Sequence, residues 1–274
     1  MRKLIVCTIA VALLGQPSGA FGFKWRNVPV QGERTGVTTP NVNNIDEALG
    51  TFDGNTYIAP NGSRFKKRSA TARVARLMIE AQPALAYLKE VVGYCPEGLT
   101  RRGTESALGD WVVDCVMAET EKEVGRKVDI GIMNHGGIRI DMPKGDVLKD
   151  DIMSMLPFKN HLCYLTMSGE NVLALFNSMA DHMQPVGGVK VTVKDGKVQQ
   201  LLIGGEPVDV SRTYGIATID FLLDGGDDIF VARNSESLIQ SEILVYDAAM
   251  NYLNDLKAAG KNIEKKIDNR VVEL

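Results

Sequence analysis

The sequence predicts an α+β fold in which helices pack on a mixed β-sheet. Segments with apolar residues at helical spacing alternate along the chain with short, extended apolar segments. One β-hairpin is clear, because alternating apolar segments over 188–193 and 198–203 flank the turn pair Asp195-Gly196. Helices and strands interspersed in this way indicate a sheet that is covered by helices.

The first 22 residues predict a secretory leader. Basic residues at positions 2 and 3 precede an apolar run over 4–14, and small residues follow at 18–20. The run is too short to span a bilayer, and an N-terminal core helix is the less well matched alternative. We therefore expect an exported protein, periplasmic or extracellular, with no membrane span in the rest of the chain.

Length and charge limit the domain organisation and the partners. The chain has 274 residues and a formal net charge of −3, which loss of the two basic leader residues would lower to −5. A mildly acidic protein lacks the basic face that a nucleic-acid polymer requires. We divide the chain into the leader (1–22), an N-terminal extension packed on the main domain (23–80) and the main domain (81–274).

Three cysteines follow the leader, namely Cys95, Cys115 and Cys163. In an oxidising compartment an odd number leaves at least one thiol free or paired outside the chain. Their spacing matches no zinc motif, and we interpret them as core residues. A bridge between Cys95 and Cys115 remains an open alternative.

The N-terminal half of the chain predicts turns, then helices. Residues 23–68 are rich in Gly, Asn, Pro and Thr and resemble turns joined by brief extended pieces. Regular structure begins near Ser69 with a helix, and Pro83 is expected to begin a new turn. A short strand follows over 91–94. A helix from about Glu105 carries one apolar stripe, made of Leu108, Trp111, Val112, Cys115 and Val116.

The C-terminal half predicts the centre of the sheet. A buried strand begins at Val128, another covers 161–167, and Ser168 can cap the helix that follows. The segment 214–218 is expected to be the last core strand, before a second glycine turn over 224–228. A closing helix is predicted from Ser241 to its stop at Gly260.

Several predicted strand ends carry residues that suit a polar, flat ligand. Asn134 and Arg139 follow the central strand around Gly136-Gly137, where a ligand can approach the bare backbone. Each of these residues has an ordinary alternative, since a solvated arginine and a tight glycine turn are common features. Only their combination favours a binding site.

Aromatic and acidic residues complete the pattern. Phe158 follows Pro157 at a helix end, Phe221 follows the last core strand, and Asp227 closes Gly225-Gly226. Two rings beside glycine turns can stack on both faces of a nucleobase. Each such contact contributes about 1–3 kcal/mol to the free energy of binding. An aspartate can accept hydrogen bonds from a sugar diol, and arginines suit a phosphate. Jointly these residues describe a nucleoside phosphate site.

From about Ala81 to Leu274 the chain resembles the C-terminal, substrate-binding domain of the secreted 5′-nucleotidase and UDP-sugar hydrolase family. Six ordered segments carry this resemblance: R-G-T-E-S-A-L-G-D (102–110), N-H-G-G-I-R (134–139), L-P-F-K-N (156–160), M-S-G-E-N-V-L (167–173), G-E-P-V-D (205–209) and R-T-Y-G-I-A-T-I-D-F-L-L-D-G-G-D (212–227).

The resemblance implies a role for each matching residue. Two phenylalanines would stack on the base, one aspartate would hold the ribose hydroxyls, two arginines would reach toward ribose and phosphate, and one asparagine would contact the base or phosphate edge. The predicted substrate-binding residues are Arg102, Asn134, Gly136, Gly137, Arg139, Phe158, Asn160, Phe221, Gly226 and Asp227. The chain departs from the family at His135 and Lys159, where glycine is usual, and at Asp224, where asparagine is usual.

The resemblance also implies an N-terminal metallophosphatase domain with two divalent metals, which this sequence does not match. Its three histidines, His135, His161 and His182, stand in none of the spacings that such a site uses. We expect structural or surface roles for them. Too little chain precedes residue 81 for that domain. We therefore predict no catalytic residue, cofactor or metal in this chain, and expect the divalent metals on a partner.

These observations lead to one main hypothesis and two alternatives. The main hypothesis is a freestanding subunit that binds a nucleotide or nucleoside and presents its phosphate to a separately encoded metallophosphatase chain. The first alternative is a nucleoside-binding or scavenging protein with no catalytic partner. The second is a structural or interaction module in which the segment 23–68 fills the space between Phe158 and Phe221. The residues do not fix the base or the number of phosphates.

Overall fold

The structure is a computed structural model that describes residue 40 and residues 42–274. The predicted leader (1–22) and the first part of the predicted extension (23–39) lie outside these residues. The described part forms an α+β fold with mixed sheets, as predicted.

Six α-helices and fourteen strands make up the described part of the chain. The helices are α1 (Ile45–Leu49), α2 (Ala70–Leu85), α3 (Ala107–Val124), α4 (Lys149–Met155), α5 (Gly169–Ser178) and α6 (Val245–Ala258). The strands are β1 (Thr51–Asp53), β2 (Thr56–Ile58), β3 (Arg64–Lys66), β4 (Val91–Cys95), β5 (Ile130–Ile132), β6 (Gly145–Leu148), β7 (His161–Ser168), β8 (Val186–Gly187), β9 (Val189–Lys194), β10 (Lys197–Ile203), β11 (Glu206–Pro207), β12 (Thr213–Ile219), β13 (Ser237–Leu244) and β14 (Val271–Glu273).

A five-stranded sheet with the order β13-β7-β12-β5-β8 forms the centre of the fold. β12 runs parallel to β5 and antiparallel to β7. Most residues of β7 and β12 are buried, in continuous runs over 162–165 and 214–219. The sheet is therefore mixed, and β12 at its centre is buried along nearly all of its length.

Helix α3 covers one face of this sheet, and its apolar stripe is buried as predicted. Ser106 caps the helix by accepting a hydrogen bond from the Gly109 N–H at 3.0 Å. Gly131 of β5 allows α3 to pack closely, because a β-carbon at this position would lie 2.6 Å from the Met117 side chain. The close helix–sheet contact depends on that missing side chain.

The predicted hairpin forms part of a second sheet with the order β11-β10-β9-β14. Asp195 and Gly196 both adopt left-handed backbone conformations, with φ of 49° and 67°, as a tight two-residue turn requires. β14, near the C-terminus, runs parallel to β9. A further pair, β4 and β6, runs antiparallel.

A buried arginine fixes the C-terminal strand to α3. Arg270 donates two hydrogen bonds to the Asp114 carboxylate, at 2.8 and 2.9 Å, and one to the Val186 carbonyl at 3.2 Å. Glu105 accepts hydrogen bonds from two backbone N–H groups of the same segment, those of Asp268 and Val271. The arginine end of this bidentate pair is buried, whereas the Asp114 side chain is 36% exposed. Asp110 and Asp268, at 3.8 and 3.5 Å, are further acidic partners of Arg270.

The described part of the predicted extension contains more regular structure than the sequence indicated. β1, β2 and β3 form an antiparallel sheet that packs on α2 around Tyr57, Ala72 and Ala75, a small cluster separate from the main core. The expectation that regular structure starts near Ser69 was therefore wrong. Strands of three residues leave too short an alternating pattern to identify.

Two further element boundaries differ from the predictions. Pro83 does not begin a new turn but lies in the last turn of α2, which continues through Leu85 and so crosses residues 80 and 81, where we placed the domain boundary. The closing helix begins at Val245 and not at Ser241, because Ser237–Leu244 pairs with β7 as an edge strand. β13 follows the segment 214–218 in the sheet, but none of its residues is buried, so 214–218 belongs to the last core strand, as predicted.

The three cysteines after the leader are core residues, as interpreted. Cys95, Cys115 and Cys163 are all buried and free, so the structure contains no bridge between Cys95 and Cys115. Burial raises the pKa of each thiol above its ordinary value. Within the described ranges, no helix is long and apolar enough to cross a membrane.

Asp110 makes the stability of this fold depend on pH. Burial raises the pKa of its carboxyl from 3.8 to about 7, with the Arg270 guanidinium opposing and Glu105 reinforcing the rise. Between these values the folded state holds a proton that the unfolded state has lost. The contribution of this group to the free energy of unfolding therefore falls as pH rises from about 4 to about 7.

We expect the difference in unfolding free energy between wild type and Asp110→Asn to fall by on the order of 1–2 kcal/mol across this range, after discounting for solvent screening. Urea denaturation of both proteins at several pH values measures this difference. Asp255→Asn, on an exposed part of α6, is the control and should show no such trend. A difference that is constant with pH would contradict the assignment.

Candidate functional site

Strand directions bring three loops to one edge of the central sheet. β5 and β12 are parallel, so the loops that leave their carboxyl ends emerge on the same side. β7 is antiparallel to β12, with Leu162 opposite Ile219, so the loop that enters β7 lies at this edge as well. These loops contain the residues 133–139, 157–160 and 220–228. Sheet pairing alone therefore gathers segments that are far apart in sequence.

The three loops enclose a cleft with a volume of about 250 Å³. Eight residues line it: Asn134, Gly136, Gly137, Arg139, Phe158, Asn160, Phe221 and Asp227. All eight belong to the set of ten that the sequence singled out. The other two residues do not line the cleft. Gly226 packs against the lining residue Phe221, and Arg102 lies in an adjacent depression.

Two phenylalanine rings stand at the cleft with much of their surface in solvent. The side chains of Phe158 and Phe221 are each 46% exposed, which is high for an aromatic residue beside a fully buried core. The Arg139 guanidinium lies 5.8 Å from the centre of the Phe158 ring. The cleft thus offers flat apolar surfaces next to a cation.

A buried amide links the first loop to the third. Asn134 is 3% exposed and donates a hydrogen bond from Nδ2 to Oδ2 of Asp227 at 2.7 Å. Its Oδ1 lies against Gly137, where a β-carbon would come within 2.6 Å of it. The amide therefore sets the position of the Asp227 carboxylate, and Gly137 leaves room for it.

The turn that carries Asp227 has an unusual backbone. Gly225 and Asp227 are both left-handed, with φ of 107° and 49°. A β-carbon on Gly226 would lie 2.6 Å from the Phe221 ring and would also collide with the Phe221 carbonyl. The glycine pair therefore lets the acidic residue and the aromatic ring occupy one compact turn.

A histidine and an aspartate hold the Phe221 turn, and the sequence did not reveal this pair. Nδ1 of His161 lies 3.0 Å from Oδ2 of Asp220, and Oδ1 of Asp220 accepts a hydrogen bond from the Phe221 N–H at 2.8 Å. We expected only an ordinary structural or surface role for His161. The signal that could have found the pair is the register between β7 and β12, which places the start of one strand beside the end of the other.

Arg102 lies outside the cleft lining but close to it. It lines a shallow depression together with Arg101, Gly103 and His135. His135 directly follows Asn134 of the cleft, so the two concave regions adjoin each other. Burial lowers the pKa of His135, which favours its neutral form. Arg139, on the cleft side, donates a hydrogen bond to the Gly136 carbonyl at 3.0 Å.

The donor set for a two-metal centre does not occur in this part of the chain. Among residue 40 and residues 42–274, no group of three or more His, Cys, Asp or Glu side chains could hold a metal ion. The described residues of the extension do not fill the cleft either, since all of its lining residues come from the main domain. The described residues of the site do not fit a pair of divalent metals.

Comparison with known proteins gives a consistent family relationship. The family model described as 5′-nucleotidase, C-terminal domain, matches residues 87–233. Protein UshA of Escherichia coli is 37% identical over 106 residues, which are 36% of this chain and 19% of the relative. The cell wall protein Lmo0130 of Listeria monocytogenes is 25% identical over 263 residues, covering 83% of this chain and 33% of its own length.

A solved structure shows the same fold. The 5′-nucleotidase precursor from Thermus thermophilus matches with a TM-score of 0.65 and 24% identity, over 74% of this chain and 43% of that one. The chain therefore matches a minor part of each of these longer relatives. The family model covers all eight residues that line the cleft.

From the Asp220 contacts we predict the effect of an Asp220 substitution on stability and on digestion at the Phe221 turn. Asp220→Ala removes the acceptor for the Phe221 N–H and the partner of His161, and we expect unfolding free energy to fall by about 1–2 kcal/mol. Chymotrypsin should also cleave faster after Phe221, because the exposed ring is then attached to a looser turn. Urea denaturation and timed digestion measure the two effects.

Asp224→Ala is the matched control, since Asp224 lies in the same loop and its side chain makes no hydrogen bond or ion pair to the described residues. It should leave both the stability and the digestion rate close to those of wild type. Equal digestion of the Asp220 variant and wild type would refute the role assigned to the pair.

Proposed function

This chain belongs to the 5′-nucleotidase C-terminal domain family, and from this membership we propose that its cleft binds a nucleoside or a 5′-nucleotide. The observation that carries the proposal is the convergence of Phe158, Phe221, Asp227 and Arg139 on one cleft of about 250 Å³. These four side chains offer two apolar faces, a hydrogen-bond acceptor and a cation. A nucleoside phosphate has a flat base, a ribose diol and an anionic group to complement them.

The base would lie between the two phenylalanine rings. Both rings are about half exposed, so a ligand can cover them without displacing packed core. Stacking accepts any base, because every base has a π-face, and this agrees with a site whose base preference the sequence does not fix. Asn160, which also lines the cleft, could add a hydrogen bond to the edge of the base.

The sugar and phosphate would meet the polar side of the cleft. Asp227 is positioned by Asn134 through one of its oxygens, and a carboxylate retains further lone pairs for a ribose diol. Gly136 and Gly137 allow the ligand to approach the backbone closely. The phosphate would extend toward Arg139 and, past His135, toward Arg102 in the adjoining depression.

Hydrolysis would require metals that the described residues are not equipped to hold. We propose that a separately encoded metallophosphatase supplies the metal centre, with this chain as its nucleotide-recognition subunit. Binding energy from the base and ribose would then position the phosphate for the partner's chemistry. The alternative is a nucleoside-binding protein without a catalytic partner.

Export is the second part of the proposal. The leader pattern over residues 1–22 supports it, and the Listeria relative that covers most of this chain is a cell wall protein. A nucleotide-recognition subunit in the periplasm or outside the cell would act on nucleotides from the surroundings. Its place of action would then match that of an exported phosphatase.

Calorimetry with adenosine and AMP tests the cleft. We expect saturable binding to wild type and a loss of at least about thirtyfold in affinity for Phe158→Ala combined with Phe221→Ala, because two stacking contacts contribute about 2–6 kcal/mol together. Tyr94→Ala is the control, since this aromatic residue on β4 is 47% exposed but lies outside the cleft. Absence of binding to wild type, or equal binding by the double variant, would refute the proposal.

A phosphate-release assay tests the separate metal centre. The chain alone, purified free of phosphatases and supplied with AMP and Mn²⁺, should release no phosphate above background, because the part of it that the structure describes presents no donor cluster for two metals. Release at a rate that scales with the concentration of this chain would overturn the split between binding and catalysis. It would leave the binding proposal intact.

A further inference from the structure

Helix α2 carries an exposed apolar stripe beside its charged positions. Ala72 and Ala75 point inward, whereas Val74, Leu77 and Met78 are 56%, 68% and 43% exposed. At 3.6 residues per turn, positions 74, 77, 78, 81 and 85 form one stripe, on a side of the helix turned away from Ala72 and Ala75. We call these five residues, Val74, Leu77, Met78, Ala81 and Leu85, the apolar ridge. None of the five is charged, and the exposed Arg73 and Glu80 lie along one side of the ridge.

A dense group of cations adjoins the apolar ridge. Residues 64–76 contain six basic side chains and no acidic one, although the whole chain has a net charge of −3. This basic cluster consists of Arg64, Lys66, Lys67, Arg68, Arg73 and Arg76. The one ion pair that it makes with described residues is Arg76 with Glu80, at 3.9 Å and partly exposed to solvent. The positive charge is therefore essentially uncompensated within this part of the chain.

Four members of the basic cluster face the same space. Lys67, Arg68, Arg73 and Arg76 line an open cavity of about 500 Å³ at the start of α2. The Arg76 guanidinium is held 4.2 Å from the centre of the Phe52 ring, so the cluster is anchored to the small sheet. Like charges that converge without a counter-charge repel each other, and an anionic surface would relieve that repulsion.

We propose that the apolar ridge and the basic cluster together dock this protein on an anionic phospholipid surface. α2 would lie in the plane of the membrane, with the ridge in contact with the acyl boundary and the cations against lipid phosphates. Tyr87, 54% exposed just beyond the helix, would sit at the headgroup level where aromatic rings are favoured. The docked protein lies on the bilayer and does not span it.

Two other occupants fit the surface less well. A soluble polyanion would neutralise the basic cluster but leave the apolar ridge in water. A second copy that docked through the same face would cover the ridge but bring its own cations against these cations. An anionic membrane surface matches both features at once. The surface belongs to a helix and sheet that contribute nothing to the cleft, so the inference is independent of the proposed function.

Vesicle sedimentation tests the proposal. Vesicles of phosphatidylcholine alone are compared with vesicles of equal parts phosphatidylcholine and phosphatidylglycerol. Two forms of the chain are compared, the complete chain and a form that lacks residues 1–22. The second form is needed because the apolar run of the leader could itself enter a bilayer. We expect binding to the mixed vesicles, little binding to the neutral ones, and a marked loss when salt rises from about 0.1 M to about 1 M.

Two double variants separate the contributions. Lys67→Glu with Arg68→Glu should weaken binding by about thirtyfold or more, since each cation near an anionic surface contributes about fivefold. Leu77→Ser with Met78→Ser should weaken it without removing the salt dependence. Lys194→Glu with Lys197→Glu makes the same charge change on the exposed hairpin and should bind like wild type. Circular dichroism confirms that each variant is folded.

Three results would overturn the proposal. The first is equal binding to neutral and mixed vesicles. The second is binding to heparin without binding to vesicles, which would indicate a soluble polyanion. The third is a concentration-dependent dimer that the Leu77 and Met78 variant abolishes, in a protein that does not sediment with vesicles. That outcome would assign the apolar ridge to a second copy.

Discussion

The parallel pairing of β5 with β12, flanked by the antiparallel β7, is the constraint on which the cleft depends. It sends two outgoing loops and one incoming loop to the same sheet edge. The residues that meet there come from positions 134–139, 158–160 and 221–227, and local sequence does not bring them together. The sheet in turn relies on Gly131, which lets α3 cover β5 at close range. A site of this kind is as rigid as the hydrogen-bonded strands that carry it.

Polar contacts hold the loops of the cleft in place, and its two aromatic rings stay largely uncovered. Asn134 uses its amide to position Asp227, and Asp220 uses both carboxylate oxygens, one for His161 and one for the Phe221 backbone. Asn134 and Asp227 line the cleft themselves, whereas Asp220 and His161 lie outside its lining. The rings of Phe158 and Phe221, by contrast, remain half exposed. Such a division is expected where a site is organised before its ligand arrives, because the ordering entropy is then lost on folding and not on binding.

The α+β class, the hairpin and all eight cleft residues could be predicted from the sequence, and the reasons can be identified. Asp195-Gly196 and Ser168 act within a few residues of chain, so their signals are local. Phe158 and Phe221 were found because the family motifs include them. The His161–Asp220 pair and the start of α6 at Val245 were missed, because both follow from strand pairing between distant segments. The short strands before Ser69 were missed because three residues give no periodicity.

The proposed ligand cleft and the proposed docking surface lie in different parts of the chain and differ in charge. The cleft combines Arg139 with Asp227, so its charges balance, and selectivity for a ligand would come from shape and hydrogen bonds. The segment 64–76 has six cations and no acid, which gives a long-range field but little geometric discrimination. Since the whole chain is net negative, the remainder carries a compensating acidic excess that would be repelled by an anionic surface. Docking through α2 would therefore orient the molecule, with its acidic part turned away from the membrane.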